Sequence, residues 1–242
     1  MPVPRRYRRR WGMALCGLSL LLLGAGGELP DERIIRNFDI IVFQREYREE
    51  TDGRLRKWVA PIRVFVDNRA GDGALHKRLV EAHVEHLVAI TGYDMRVVES
   101  RDAANLLAIF ERTAKLGEVL AEFFRDPDRV AGIFATSLCM GRFYTNAQFE
   151  IFKAVVIIPP DRAASRGKLP ACVVEEITQV LGLPNDSAEV YPSIFNDKSV
   201  DEALTGHDIL LLRLLFDPRL RPGMARAEVL ARARRILPEL RP

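Results

Sequence analysis

Apolar and polar residues recur with two different periods along this chain, and the pattern predicts a mixed α/β fold. Strands are predicted at residues 60–66, 95–98, 106–110 and 152–158, with another inside 133–144. Helices are predicted at 31–47, 74–91 and 115–124, and after the last strand at about 170–182, 205–215 and 223–236. Because helices run on alone after the last strand, we expect a sheet backed by helices with a helical C-terminal part.

Particular residues are expected to start and stop these helices. Asp31 follows a proline and is suited to cap the first helix, and Gly92 is suited to end the second. An Asp-Pro-Asp sequence at 126–128 is expected to stop the third. Thr205, with Asp208 three residues later, predicts a capped start for a late helix. The face of helix 74–91 that we expect to be buried comprises Leu75, Leu79, Ala82, His86, Leu87 and Ile90.

The first 27 residues have the pattern of a cleaved secretory signal. Five arginines precede an apolar run at 13–23, and four small residues follow at 24–27. That run is too short to cross a hydrocarbon core of about 30 Å, although a retained membrane anchor is the alternative interpretation. Cleavage near Gly27 would leave one domain, 28–242, with no transmembrane segment, in the periplasm or outside the cell.

Charge argues against a nucleic-acid partner. The chain has 36 Lys+Arg and 33 Asp+Glu, and removing the five arginines of residues 1–27 leaves 31 basic and 33 acidic residues. The basic character therefore belongs to the signal, and the remaining chain carries no global positive charge. The helix at 223–236 is basic and amphipathic, which suits either a membrane surface or packing on its own domain; we favour packing.

Two cysteines, Cys139 and Cys172, remain once the signal and its Cys16 are removed. In an oxidising compartment two thiols favour one disulfide over two separate buried thiols. The C-x-x-C spacing of redox enzymes is absent from the sequence. We therefore predict a structural disulfide between Cys139 and Cys172.

The segment at 172–186 carries the most distinctive polar pattern of the chain. Residues at helical spacing form an apolar stripe, namely Val173, Ile177, Val180 and Leu181. The opposite side is expected to carry Cys172, Glu175, Glu176 and Gln179. Gly182 is suited to end the helix, and the turn after it carries Asn185 and Asp186. Two acids and an amide are thus predicted to share one helix face.

The spacing of this segment resembles that of the metzincin group of zinc proteases, whose motif is H-E-x-x-H-x-x-G-x-x-H/D. Two histidines one helical turn apart bind the metal there, and the glutamate between them is the general base. The resemblance places Glu176 at the base position and Gly182 at the turn. Glu175 and Gln179 stand where the helix histidines would be. We therefore expect no zinc, because a neutral amide is a poor ligand for that ion.

Residues after the helix also differ from the metzincin motif. Asn185 occupies the third-ligand position, with Asp186 beside it. The segment at 191–197, Tyr-Pro-Ser-Ile-Phe-Asn-Asp, resembles the turn beneath the metal, with Phe195 where a methionine would lie. The resemblance thus implies a degenerate zincin-like scaffold whose former active site is formed by Glu175, Glu176, Gln179, Gly182, Asn185, Asp186 and Phe195.

The chain is similar to a bacterial family known as domain of unknown function 2927. The Cys-x-x-Glu-Glu-x-Thr-Gln-x-Leu-Gly-Leu-x-Asn-Asp sequence, the Ser-Ile-Phe-Asn-Asp turn and Leu214–Met224 (Leu-Leu-Phe-Asp-Pro-Arg-Leu-Arg-Pro-Gly-Met) carry the similarity. The match is specific over about 139–224 and looser over about 60–138. This family resembles zincins and has no assigned activity, so the resemblance informs the fold more than the function.

Several other forms of chemistry stay open from the sequence. Only oxygen ligands line the polar segment, so a hard cation such as calcium at Glu175 and Asp186 is an alternative to a hydrogen-bonded, collapsed site. Clustered carboxylates also permit acid–base chemistry at one group with a raised pKa. His83 and His86 are spaced to share a metal, but we favour packed or solvent-facing helix histidines.

These observations predict a non-catalytic binding module derived from a protease scaffold. Its partner would be a peptide or an envelope protein docked along the sheet edge beside Glu175, Glu176 and Gln179. The alternative is a hydrolase with Glu176 as general base and an atypical, non-zinc metal site.

Overall fold

The computed structural model describes residues 29–44, 52–196, 198 and 200–241, so the predicted signal and Asp197 lie outside it. The described residues form a mixed α/β structure with a largely parallel sheet, which confirms the predicted fold class. The helices are α1 Asp31–Phe43, α2 Gly73–Thr91, α3 Leu116–Phe123, α4 Pro127–Phe134, α5 Pro160–Ser165, α6 Leu169–Gln179, α7 Gly206–Phe216 and α8 Arg226–Leu240. The strands are β1 Lys57–Trp58, β2 Ile62–Asn68, β3 Met95–Val97, β4 Leu106–Phe110, β5 Met140–Thr145 and β6 Glu150–Ile158.

The sheet has the order β1-β6-β4-β2-β3, and β5 pairs with β6. All pairs are parallel except β5 with β6, which is antiparallel and has an irregularity between Tyr144 and Thr145. Among the described residues β5 pairs with no strand other than β6, so it forms one edge of the sheet, and β3 forms the other.

Helices cover both faces of the sheet. The buried side chains of β4 alternate: Leu106, Ala108 and Phe110 join the larger core with α1, α2, α6, α7 and α8. Leu107 and Ile109 join a smaller core with α3 and residues flanking it. A strand with both faces buried reads as a continuous apolar run, which explains why β4 was predicted with its observed bounds.

Two short helices and one strand were not predicted. The Asp-Pro-Asp sequence at 126–128 starts α4 instead of only stopping α3, because Pro127 stands at the first helical position and Asp126 accepts the Arg129 N–H. Pro160 likewise starts α5. The two residues of β1 are too few to show a period.

The expected cap of α1 was wrong. Pro30 is the residue before the first turn, and no side chain caps this helix. Asp31 lies inside the first turn and forms an ion pair with Arg241 at 2.6 Å. Carboxylates in a first turn are stabilised by the helix dipole without acting as the cap. The Thr205–Asp208 capping box of α7 is confirmed.

The buried face of α2 was predicted only in part: Leu87 is buried, and Leu75, Leu79 and Ile90 pack against the larger core. Ala82 and His86 are exposed, whereas the buried residues are His76, Val80, His83, Val84 and Leu87. The histidines explain the error, because the ring of His76 stacks on Phe110 with centroids 4.2 Å apart and His83 hydrogen bonds to α6. A polar ring with a partner can occupy a core position that an apolar pattern assigns elsewhere.

The C-terminal helix α8 packs on its own domain, as favoured from the sequence. Val229, Ala233, Ile236 and Leu237 are buried. Arg226 and Arg234 form ion pairs with Asp39 and Glu32 of α1. None of the described helices is both long and apolar enough to cross a membrane.

Candidate functional site

The helix α6 is started by a proline in its first turn and is followed by a tight turn. It ends at Gln179, three residues before the predicted end, and the chain then turns through Gly182 at φ +124°. A Cβ at Gly182 would lie 2.8 Å from the carbonyl oxygen of Arg56. Only glycine therefore permits this backbone approach, which brings the turn against the segment before β1.

The polar face of α6 is more buried than the sequence predicted. Cys172 and Glu176 are only 2% and 5% exposed, although they were expected opposite the buried stripe. Both face the start of β5, so α6 is covered by the sheet edge as well as by the core behind it. Thr178 is buried against α2, where its hydroxyl is hydrogen bonded to His83. The prediction failed because α6 buries more than one face.

The disulfide between Cys139 and Cys172 is present, as predicted. It joins the residue before β5 to the fourth residue of α6, and the Cα atoms are 5.9 Å apart. The edge strand is therefore fixed covalently to the helix that carries the polar residues.

Strand β5 comes close to α6 at a second place, one helical turn after Cys172. A Cβ at Gly141 in β5 would lie 2.8 Å from Cγ1 of Val180 and 2.9 Å from Oε2 of Glu176. The strand and the helix are therefore closer than any side chain at position 141 would allow. This contact places the Glu176 carboxylate directly against the edge strand.

A cleft of about 660 Å³ lies beside β5. Glu176, Gln179 and Asp186 line it from α6 and the turn that follows, whereas Glu175 and Asn185 are not among its lining residues. The other walls are formed by β5, by Phe152 of β6, by α4 and by neighbouring loops. The residues of these walls outside β5 and β6 include Asp52, Arg56, Phe124, Val130, Ile133, Ser137 and Pro184. The structure therefore brings together three of the acidic and amide residues predicted to share this site.

Three of the predicted site residues, Asn185, Glu175 and Phe195, lie outside the cleft lining. Asn185 is buried, and its backbone N–H donates to the carbonyl of Ile41 at 3.2 Å. Glu175 is half-buried on α6. Phe195 is fully buried in the larger core, and its carbonyl accepts the N–H of Ser187 at 2.9 Å.

Two separate sets of hydrogen bonds fix the cleft residues of α6 and the turn before α7. The amide of Gln179 donates to Oδ1 of Asp186 at 2.7 Å. In the turn at 193–196, Ser193 donates to Asp208 at 2.6 Å, and the same carboxylate accepts the N–H of Ile194. Since Asp208 also belongs to the capping box of α7, the turn and the helix start are fixed together.

The donor set does not fit zinc. No group of three or more His, Cys, Asp or Glu suited to a metal ion occurs in the part of the chain that the structure describes. The Gln179 amide is engaged with Asp186, and Glu175 lies off the cleft. Tetrahedral zinc requires convergent nitrogen, sulfur or carboxylate ligands, and these residues do not supply them.

His83 and His86 do not converge either. His83 is buried and His86 is exposed. Burial lowers the pKa of His83 to about 3, so its ring is neutral at physiological pH. The Thr178 hydroxyl donates to the carbonyl of Val174 at 2.6 Å and therefore accepts from Nε2 of His83 at 3.0 Å. This histidine is a structural link between α2 and α6.

Sequence reasoning missed the aromatic and basic wall of the cleft. The guanidinium of Arg142 lies over the rings of Phe124 and Tyr144, 5.1 and 4.9 Å from their centroids. The Tyr144 hydroxyl donates to the carbonyl of Phe123 at 2.9 Å. The alternation of residues 140–145 would have placed Arg142 and Tyr144 on one face, but the strand was located only within a wider window.

Arg56 is a second missed residue. It is only 7% exposed and forms an ion pair with Asp52 at 2.6 Å, at the end of the cleft near β1. Nothing in its local sequence distinguishes it from the other arginines of 45–56.

Comparison with known protein families supports the resemblance to domain of unknown function 2927. A family model described as protein of unknown function (DUF2927) matches residues 31–235, a wider range than the motifs alone indicated. No curated protein matches the sequence. The chain therefore belongs to the DUF2927 family of proteins of unknown function.

Proposed function

We propose that this protein is a non-catalytic binding module that takes an extended peptide along the edge strand β5. The observation that carries the proposal is a six-residue strand beside a cleft of about 660 Å³, with one edge that pairs with no other strand in the described part of the chain. An exposed strand edge presents rows of N–H and C=O groups that pair with an added strand.

The edge is held rigidly, which favours binding. The disulfide fixes the residue before β5 to α6, and the Gly141 contact holds the strand against Glu176 and Val180. A preformed edge loses little conformational entropy when a peptide docks on it. The affinity would come from backbone hydrogen bonds and the selectivity from the walls of the cleft.

The polar residues of α6 support binding more than zinc chemistry. The Gln179 amide and the Asp186 carboxylate hydrogen bond to each other, as expected of a former active site that has closed on itself. This arrangement agrees with a scaffold derived from a metzincin-like protease that no longer uses the metal. The proposed ancestry rests on the spacing of the α6 motif.

Peptide docking is tested with a synthetic library of random peptides about as long as β5. Affinity selection on the purified protein, with bound peptides identified by mass spectrometry, should return a defined set. Hydrogen–deuterium exchange should then show protection of the amides of Met140–Thr145, but not of Met95–Val97 at the opposite edge. No selected peptide, or protection confined to another surface, would refute the proposal.

A hydrolase with Glu176 as general base is the second candidate. Glu176 is buried, lines the cleft and lies beside the edge where a peptide would bind, as a general base must. Glu176→Gln should abolish any peptide hydrolysis by the purified protein. Glu175→Gln is the matched control, because its neighbour on α6 does not line the cleft and should keep full activity. Equal activity in both variants rules out this role.

We propose further that no metal is resident, with a hard cation such as calcium at Glu175 and Asp186 as the alternative. Elemental analysis of the purified protein separates these cases. A calcium-dependent rise in melting temperature that Asp186→Asn removes would favour the cation.

We also propose that the protein is exported to the periplasm or beyond after cleavage near Gly27. The disulfide supports this location, because cytosolic thiols are kept reduced. Intact-mass measurement of protein recovered from cell fractions should give a chain that begins near residue 28 and contains no free thiol.

A further inference from the structure

We propose that Arg142 determines the specificity of the cleft by binding a carboxylate of the docked peptide. This inference rests on the proposed peptide-binding function and adds the chemistry of one ligand group. The carboxylate has two possible sources, an acidic side chain or the C terminus of the peptide.

The position of Arg142 on β5 places its guanidinium beside the peptide path. Successive side chains of a strand point to opposite faces, so Gly141 faces Glu176 and Arg142 faces Phe124 on the other side. A peptide added to β5 alternates in the same way. Peptide side chains on one face of the sheet would therefore lie on the side of Arg142, and those on the other face would lie on the side of Glu176.

Arg142 brings a positive charge to the lining of the cleft. Its side chain is exposed within the cleft lining, and it forms no ion pair with another of the described residues. Arg56, which also lines the cleft, is paired with Asp52. An unpaired arginine inside a concave surface is suited to bind an anionic group of a ligand.

The aromatic neighbours hold the guanidinium in place. It lies about 5 Å from the ring centroids of both Phe124 and Tyr144. Phe124 is 8% exposed, and the Tyr144 ring is fixed by its hydrogen bond to Phe123. Stacking restricts the rotamers of the arginine while its N–H edge stays available for hydrogen bonds. A planar guanidinium fixed in this way matches the two oxygens of a carboxylate.

The apolar surroundings strengthen this contact. Val130 and Ile133 of α4 line the same cleft as Phe124. Apolar walls keep water away from a bound ion pair and so strengthen the attraction between the guanidinium and the carboxylate. The affinity for the peptide then depends more on that carboxylate. We therefore expect selected peptides to carry an acidic group at one position flanked by apolar residues.

The test uses peptides selected from the same random library, resynthesised in matched pairs. In one pair each acidic side chain is replaced by its amide, and in the other the free C terminus is amidated. The replacement that removes the recognised carboxylate should weaken binding to the normal protein about tenfold. The same replacement should have no effect on the Arg142→Gln protein, because the two changes remove one interaction.

Three protein variants make the result specific. Arg142→Lys keeps the charge but loses the bidentate geometry, so its affinity should lie between those of the normal and Arg142→Gln proteins. Arg129→Gln on α4 is the control, since Arg129 is exposed and outside the cleft lining, and it should bind normally. Melting curves verify that each variant is folded.

The outcomes separate this inference from the proposed function. If peptides bind but Arg142→Gln binds them as well as the normal protein does, the specificity role is wrong and the docking proposal stands. If amide replacement weakens binding equally in both proteins, the carboxylate is recognised elsewhere and the inference is also wrong. If the normal protein selects no peptide, both proposals fail.

Discussion

The two edges of the sheet differ in length and in surroundings. The edge at β3 has three residues, lies beside α2 and carries the exposed Arg96. The groove beside it is about 400 Å³, smaller than the cleft at β5, and is bordered by Glu81 and Glu85. The edge at β5 has six residues, runs beside the larger cleft and is fixed by a disulfide.

This difference indicates which edge is suited to binding. Short strands and charged side chains are the usual means by which proteins prevent unwanted strand pairing. The β3 edge shows both features. A long, rigid edge beside a cleft carries an aggregation risk that a protein tolerates where the edge has a use. The following predictions test how β5 is held and whether its features serve stability or binding.

The largest expected effect comes from the disulfide. Replacing both Cys139 and Cys172 with serine should lower the free energy of unfolding by about 3–4 kcal/mol, because the crosslink restricts the unfolded chain. Chemical denaturation of the double variant measures this loss. The normal protein in reductant should match it, and a loss below about 1 kcal/mol would show that β5 does not depend on the bridge.

The next largest effect is expected at Gly141. Gly141→Ala places a Cβ against Val180 and Glu176 and should cost about 1–3 kcal/mol of stability through overpacking. Gly132→Ala in α4 is the matched control, since its added Cβ has no neighbour within 4 Å. That variant should be as stable as the normal protein or up to about 1 kcal/mol more stable. Equal effects in both would contradict the close strand–helix contact.

A smaller effect concerns the link between α2 and α6. Burial lowers the pKa of His83 to about 3, so the folded protein excludes a proton that the unfolded chain binds below its ordinary pKa near 6.5. Stability is therefore complete above about pH 6.5 and falls as the pH decreases towards 3. The loss between about pH 7 and pH 5.5 should be about 1 kcal/mol from this residue.

Denaturation of His83→Gln at both pH values checks this assignment. The variant should depend less on pH in this range, with a residual slope from His76 and His207, whose pKa values burial also lowers. An unchanged slope would show that His83 titrates normally and is not locked between the helices.

The smallest expected effect is that of Arg142 on stability. An exposed cation–π contact contributes about 0.5–1 kcal/mol, so Arg142→Gln should lower stability by no more than that. Thermal denaturation beside Arg129→Gln measures the difference. A loss above about 2 kcal/mol would mean that the arginine supports the edge itself, and the binding tests would then need the milder Arg142→Lys.

Local patterns predicted most elements because their physical causes are local. The capping box at Thr205 and Asp208 and the turn at Gly92 depend on hydrogen bonds within a few residues, and both occur as expected. The errors arose where a distant partner decided the outcome. The sequence left His83 as either packed or solvent-facing, because the partner that decides between the two, Thr178, lies 95 residues away.

The candidate site shows the same division. The motif spacing on α6 predicted correctly which helix carries the polar residues, but the burial of Glu176 depends on β5, which lies on a separate part of the chain. Glu175 is adjacent in sequence and lies off the cleft. Arg142 acquires its role from Phe124, which a sequence pattern does not connect to it.

The sequence by itself determined the alternation of strands and helices, the family and the pair of cysteines available for a bridge, because periodicity, motif spacing and residue type are properties of neighbouring positions. Only the tertiary structure decided which edge of the sheet is long and accessible, which acids face the cleft and which arginine is unpaired there. These features depend on contacts between segments far apart in the chain, and packing and burial set them.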